Sequence, residues 1–112
     1  MAPTKFDIIL LGATGYTGSI CAEHITSNFP TTLQWAIAGR SSKSLEALAT
    51  RLKTLNPDRL PPTVIATQVE KNELHTLVRR ARVVINAIGP YHIHSEPVVE
   101  ACVAEGTHYV DL

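Results

Sequence analysis

The sequence predicts an α/β domain built on a doubly wound parallel sheet of about five strands, with helices on both faces. Three observations carry this. Short apolar runs alternate with stretches of helical period along the whole chain. The apolar runs are hydrophobic almost throughout, the pattern of strands covered on both sides. A cluster of glycines stands where the first apolar run meets the first helical stretch.

Phe6 to Leu11 reads as the first buried strand, and Gly12 to Gly15 break it. From Tyr16 to about Phe29 a helix is expected, its apolar stripe running through Tyr16, Ile20, His24 or Ile25, and Phe29. Thr32 to Ala38 is a second strand, with Leu33, Trp35 and Ile37 alternating before Gly39. Ser41 or Ser42 can cap the next helix. Its stripe is Leu45, Leu48, Ala49, Leu52 and Leu55. Asn56-Pro57-Asp58 ends it, and Pro61-Pro62 prolongs the loop. Thr63 to Thr67 is a short third strand. Asn72 to Arg80 is a short helix with Leu74, Leu77 and Val78 inward, and Arg82 to Ile88 a fourth strand. Ser95 reads as the N-cap of a last helix, with Glu96 and Pro97 in its first turn and Gly106 beyond its end. Val98, Val99, Cys102 and Val103 make its apolar face. His108 to Leu112 is the fifth strand. Parallel strands joined by helices require right-handed crossovers.

Size and composition fit a single domain spanning 1–112. The chain has 112 residues, and at 45% hydrophobic it can fill a core. Formal charge is zero, so no electrostatic footprint for nucleic acid or an anionic membrane surface is present. Cys21 and Cys102 are far apart and form no C-x-x-C, which argues for reduced thiols rather than a disulfide framework or a zinc site. No membrane segment or signal-peptide pattern is read, so the default location is cytoplasmic. His92 and His94 form an H-x-H pair with only Glu96 near it, one ligand short of a metal site. No metal is expected; these read as surface histidines or as contacts to an absent domain.

The chemistry is concentrated in Gly12-Ala13-Thr14-Gly15-Tyr16-Thr17-Gly18. Following a strand and opening a helix, this G-x-x-G-x-x-G run reads as a phosphate loop. Gly12 allows the tight turn, Gly15 lets a pyrophosphate approach backbone, and Gly18 lets the helix lie close on the sheet. The helix N-terminus then offers free N–H groups and a positive dipole end, with Thr14, Tyr16 and Thr17 as further donors. The sheet is thereby a Rossmann-type one. Its second strand ends Ala38-Gly39-Arg40-Ser41-Ser42-Lys43, without the acidic residue that would bind a ribose 2′-hydroxyl. Arg40 offers a planar fork suited to a phosphate, and Ser41 a further donor, so NADP(H) is the expected cofactor. At the carboxyl end of the fourth strand stand Asn86, Ala87, Gly89, Pro90 and Tyr91. Small residues there would let the ribose and nicotinamide lie close to backbone. Asn86 can bond to the cofactor or tie down a loop, and Tyr91 can pack on the nicotinamide or close a hydrophobic corner.

Taken together, four blocks resemble the N-terminal domain of saccharopine dehydrogenase-like oxidoreductases, including the trans-acting enoyl reductases: Gly12 to Gly18, Ala38-Gly39-Arg40, Asn86 to Tyr91, and Cys102 through Gly106 to His108-Tyr109-Val110-Asp111-Leu112. They occur in the family's order over nearly the whole chain. The resemblance implies an NADP(H)-binding domain, hydride transfer to an imine or enoyl acceptor, and a longer substrate domain downstream. Two departures stand out. Related folds often place an acidic residue near the adenine after the third strand, where this chain has Thr67-Gln68-Val69, with Gln68 the nearest substitute. The chain also stops at Leu112, where family members continue, so the substrate domain is expected to be absent from an excised or truncated product.

No catalytic residue is assigned. No Tyr-x-x-x-Lys pair follows the fourth strand, and no Ser-His-Asp or paired-carboxylate constellation is suggested. The competing reading is a non-catalytic dinucleotide sensor resembling the NmrA-like regulators, which share a G-A-T-G-x-x-G loop; fold does not decide between them. A third reading is an inactive remnant. The expected partners are the dinucleotide and either a second copy, joined through the edge of the fifth strand, or a separate substrate domain.

Overall fold

The computed structural model describes residues 6–67, 71–88 and 91–111, with the backbone alone at 71 and 91–95. Its elements run β1 (Phe6–Leu11), α1 (Tyr16–Asn28), β2 (Trp35–Gly39), α2 (Ser42–Leu55), β3 (Thr63–Ala66), α3 (Lys71–Arg79), β4 (Ala81–Asn86), α4 (Tyr91–Glu105) and β5 (His108–Asp111). The strands form one sheet in the order β3-β2-β1-β4-β5. Every pairing is parallel. The order reverses between β1 and β4, so the carboxyl ends of these two strands bound the crevice where such sheets take ligands.

Alternate residues along the strands feed two cores. Ile9 and Leu11 of β1, with Ala36 and Ala38 of β2, face Leu74, Leu77 and Val78 of α3 and Val98, Ala101 and Cys102 of α4. Leu10, Trp35 and Ile37 point the other way, onto Ala22 and Ile25 of α1 and Leu45, Leu48 and Leu52 of α2. Both faces being covered is why the strands are apolar at successive positions. It also explains why β2 is buried from Trp35 through Ala38 rather than alternating with solvent.

Several boundaries and faces differ from expectation. On α1 the buried residues are Gly18, Ala22, Ile25 and Thr26, while Tyr16 is 85% and Ile20 50% exposed. Near the loop the helix lies on the sheet through Gly18 and Ala22, small enough for close approach; of the expected stripe Ile25 is inward, while Tyr16 and Ile20 are turned outward. Leu55 likewise ends exposed in the last turn of α2. Helix α4 begins at Tyr91, so Ser95 is not its N-cap and Pro97 lies inside the helix. There the proline removes one backbone donor. Val98 and Cys102 are buried as expected, but the third inward residue is Ala101, while Val99 and Val103 face solvent.

Other signals hold. Ser41 Oγ caps α2 by accepting from Ser44 N at 3.2 Å. Gly106, at φ +71, ends α4 in a Schellman turn: Thr107 N donates to Cys102 O at 2.9 Å and Gly106 N to Val103 O at 3.4 Å. Glu105, the last residue of α4, fastens that helix to α3. Its carboxylate accepts from Arg79 Nε and lies against His75 Nδ1, each at 2.9 Å. Arg59 is buried under the far end of α1, donating to the carbonyls of Thr26 and Phe29. Among the described residues no helix is long and apolar enough to cross a membrane.

Candidate functional site

The turn between β1 and α1 is held by backbone on three sides. Gly12 N and Ala13 N both donate to Ala38 O, at 2.8 and 3.3 Å, and Ala87 N donates to Leu11 O at 2.8 Å. The ends of β1, β2 and β4 are thereby fixed to one another. Gly12 adopts φ +80, where a side chain is strained, and a Cβ there would lie 2.8 Å from Ile88 N. Gly18 is tighter still: its Cβ would fall 2.1 Å from Gly12 O and 2.9 Å from Ala13 Cα. The first glycine is therefore required by its left-handed backbone and the close approach of the chain leaving β4, and the third by the first turn of α1 seated on the loop.

Gly15 differs. A Cβ there would meet only Gly12 O, at 3.6 Å. The chain itself leaves that space open, on the side where Thr14, Tyr16 and Thr17 are exposed. Gly15 is also the N-cap of α1, and no side chain caps the helix. The first helical donor bonded in the expected way is Ser19 N, to Gly15 O at 2.8 Å. By helix geometry the N–H groups of Tyr16, Thr17 and Gly18 lack intrahelical acceptors. An anionic group over Gly15 would supply them and meet the positive end of the helix dipole.

Beside this loop, β2 delivers Arg40 and Ser41 to the surface. Thr67 N donates to Gly39 O at 2.7 Å and fixes the strand end. No carboxylate belongs to the turn from Gly39 to Ser44, so nothing there repels a phosphate. The Ser41 oxygen is engaged with Ser44 N and retains its hydroxyl proton for a ligand. These features fit a dinucleotide carrying a 2′-phosphate.

At the end of β4 the residues stand one layer back. Asn86 is fully buried and bonded at both ends: Oδ1 accepts from Ile88 N at 3.0 Å and Nδ2 donates to Tyr109 Oη at 3.1 Å. Of its two possible roles, tying down the loop is the one these bonds perform. Ala87 is buried and presses on Gly12. The network continues from Tyr109 Oη to Asp111 Oδ2 at 3.2 Å. Burial, chiefly, pushes the Tyr109 phenol up; the bond from Asn86 opposes this. The sequence showed the Tyr109–Asp111 block, but not that strand pairing sets Asp111 opposite Asn86. Gly89, Pro90 and Gln68 lie outside the described residues, as do the side chains of Tyr91, His92 and His94.

A second feature was not anticipated. A groove of about 360 Å³ runs between α1 and α2, lined by Thr14, Ser19, Ser44, Ala47, Leu48 and Arg51. Arg51 is paired there with Glu23 of α1 at 2.9 Å. The spacing Ser44, Leu48, Arg51 places these residues on one helical face, a signal that only the position of α1 makes meaningful.

Comparison with known proteins agrees with this geometry. Residues 8–112 match the family model of the saccharopine dehydrogenase NADP binding domain. A trans-acting enoyl reductase from Mycobacterium leprae is 39% identical over 100% of this chain, and one from Mycobacterium tuberculosis is 38% identical over 99%. A lipid droplet localized protein from Caenorhabditis elegans is 33% identical over 97%. The chain spans only 27% of the first of these relatives and 26% of the other two. Among solved structures, apo saccharopine dehydrogenase (L-Glu forming) from Saccharomyces cerevisiae superposes with a TM-score of 0.73 at 21% identity, over 95% of this chain and 21% of that one. A wide-type short-chain dehydrogenase/reductase from Veillonella parvula, in complex with NADP, gives 0.69 at 16% identity, over 95% of this chain and 46% of that one. These two likenesses concern the fold. The sequence match over residues 8–112 goes further: the chain belongs to the saccharopine dehydrogenase NADP binding domain family.

Proposed function

We propose that this domain positions NADP(H) for hydride transfer to an enoyl acceptor, with the residues of the β1–α1 loop holding the pyrophosphate and Arg40 the 2′-phosphate. The observation that carries the reading is the division of labour among the glycines. Gly12 and Gly18 are filled by the chain's own backbone, whereas Gly15 is open beneath donors that the helix does not use. When bound, the nicotinamide supplies or accepts the hydride; the chain supplies position and electrostatics. Thr14, Tyr16 and Thr17 surround the phosphates. Asn86 and Ala87 hold the wall behind them.

The enoyl acceptor is inferred from the relatives named trans-acting enoyl reductase, at 36–39% identity. Because the chain spans about a quarter of those proteins, we assign acceptor binding and the proton donor to a separate substrate domain. Cys21 and Cys102 are unpaired, in keeping with a reducing, cytoplasmic location.

The test is titration of the 112-residue chain with NADPH and with NADH, followed by nicotinamide fluorescence, beside Arg40→Ala. Micromolar-range NADPH binding (about −8 kcal/mol), weaker NADH binding and loss of the preference in the variant are expected. A folded chain that binds neither nucleotide refutes the reading.

A further inference from the structure

The groove between α1 and α2 borders the β1–α1 loop and the first turn of α2. Its upper end lies at Thr14 of the loop and Ser44, in the first turn of α2, three residues past Ser41. Its walls carry three hydroxyls, from Thr14, Ser19 and Ser44. Ala47 and Leu48 also line it, and Arg51 lines it furthest along α2 from Ser44. Ser44 and Arg51 are seven residues apart on one helix, about 10 Å along its axis, a distance a long arginine side chain can shorten. Arg51 is paired with the Glu23 carboxylate of α1 at 2.9 Å. Both partners are substantially exposed, 58% and 45%, so the pair is weakly held and the arginine can change partners.

Resting on the dinucleotide reading above, we propose that this groove seats the 2′-phosphate of NADP(H), and that Arg51, shared with Glu23, sets how strongly that phosphate is preferred. Arg40 approaches the phosphate from the end of β2, while Ser44 and Thr14 donate from the groove walls. Arg51 supplies a second positive charge from below. Glu23 opposes it: each time the arginine turns to the ligand, its ion pair with Glu23 is given up.

The proposal makes two substitutions that break the same ion pair act in opposite directions. In Arg51→Gln the dissociation constant for NADPH rises about tenfold, the scale of one charge-assisted hydrogen bond, and that for NADH is unchanged. In Glu23→Gln the constant for NADPH falls severalfold, again without effect on NADH. If the pair only clamps α1 to α2, both variants lose stability alike in urea and leave the NADPH-to-NADH ratio untouched; that result overturns the proposal. Should Arg51→Gln fail to fold, Arg51→Lys, which keeps the charge and loses the fork, gives a smaller rise in the same direction. A ratio that collapses in Arg40→Ala but is unmoved in both groove variants refutes the groove and keeps the cofactor reading. A wild-type chain without preference for NADPH removes both.

Discussion

Substituting the second and third glycines of the phosphate loop by alanine separates what the fold needs from what the ligand needs. At Gly18 an added Cβ would sit 2.1 Å from Gly12 O and 2.9 Å from Ala13 Cα, both backbone. Neither can rotate away, so the first turn of α1 must retreat by about 1 Å, loosening Ala22 and Ile25 on the sheet. Overpacking of this kind costs about 1–3 kcal/mol, and a clash with backbone on two sides belongs at the upper end. The better helix propensity of alanine returns up to about 1 kcal/mol, leaving a loss of about 2 kcal/mol. For a chain of this size that lowers Tm by about 8 °C, read by circular dichroism. At Gly15 the same methyl meets only Gly12 O, at 3.6 Å, on a backbone at φ −71 that alanine adopts freely. The smaller conformational entropy of the unfolded chain, worth about 0.4–1 kcal/mol to the fold, offsets the poorer N-cap. Gly15→Ala is therefore expected to melt within about 2 °C of wild type, yet to bind NADPH at least about tenfold more weakly, because its methyl stands where the proposed pyrophosphate site lies. A Gly15→Ala chain with wild-type affinity, or a Gly18→Ala chain with wild-type stability, refutes the reasoning at the corresponding glycine.

Further outcomes follow from the helix contacts. Hydrogen bonds from Arg79 and His75 hold the Glu105 carboxyl down at about 2, below its ordinary value of 4.5. A depressed acid stabilises the fold above its unfolded pKa, so this contribution is present above about pH 5 and is lost as pH falls toward 2. The urea midpoint of wild type should accordingly exceed that of Glu105→Gln at pH 6, and the two should converge near pH 2. Arg59→Leu removes the side-chain donor to the Phe29 carbonyl and one of two to that of Thr26, which keeps Asn56 Nδ2, and should cost about 2–3 kcal/mol in urea unfolding, without changing the NADPH-to-NADH ratio. Burial pushes the Cys102 thiol up to about 11, so at pH 8 a thiol reagent should label it only at the rate of unfolding.

The order of elements was legible because each link is local. Gly12, Gly39 and Gly106 punctuate, Ser41 caps, and the stripe Leu45, Leu48, Leu52 has one period. The faces of α1 and α4 were not legible, for a shared reason. On both helices the surface that meets the sheet is chosen by size as much as by hydrophobicity: Gly18 and Ala22 on α1, Ala101 on α4. A hydrophobic stripe reads Tyr16 and Ile20 as inward, yet they are too large for the approach that Gly18 imposes, and it reads Val103 as inward where α4 instead buries Ala101. The start of α4 was misplaced because Pro97 is a strong first-turn signal, and a proline inside a helix leaves no different mark in sequence. In the site, Gly12, Gly15, Gly18 and Arg40 were visible as types at fixed spacing. Asn86 was visible but ambiguous, since its role depends on Tyr109, which pairing of β4 with β5 brings near. The groove residues were invisible for the same reason: Arg51 acquires Glu23, and Ser44 shares a groove with Ser19, only once α1 lies beside α2.

The contrast between the two helix starts argues for what the loop is built to do. Helix α2 begins with Ser41, whose oxygen satisfies Ser44 N within the chain. Helix α1 begins with Gly15 and no side-chain cap. A serine or aspartate at an N-cap is worth about 0.5–2 kcal/mol over alanine, and over glycine a few tenths, so a self-contained α1 was available at little structural cost. Its first-turn donors instead face the open side of a loop whose backbone is fixed by Ala38 O and by the Gly12–Gly18 contact. Donors left unused but held rigidly are of value to a ligand, because no reorganisation is needed when it arrives. Stability withheld from the empty domain is then recovered on binding: a dinucleotide at a hundred times its Kd adds about 2.7 kcal/mol. That exceeds the cap the helix forgoes, so on the proposed reading the fold at this loop is completed by the dinucleotide.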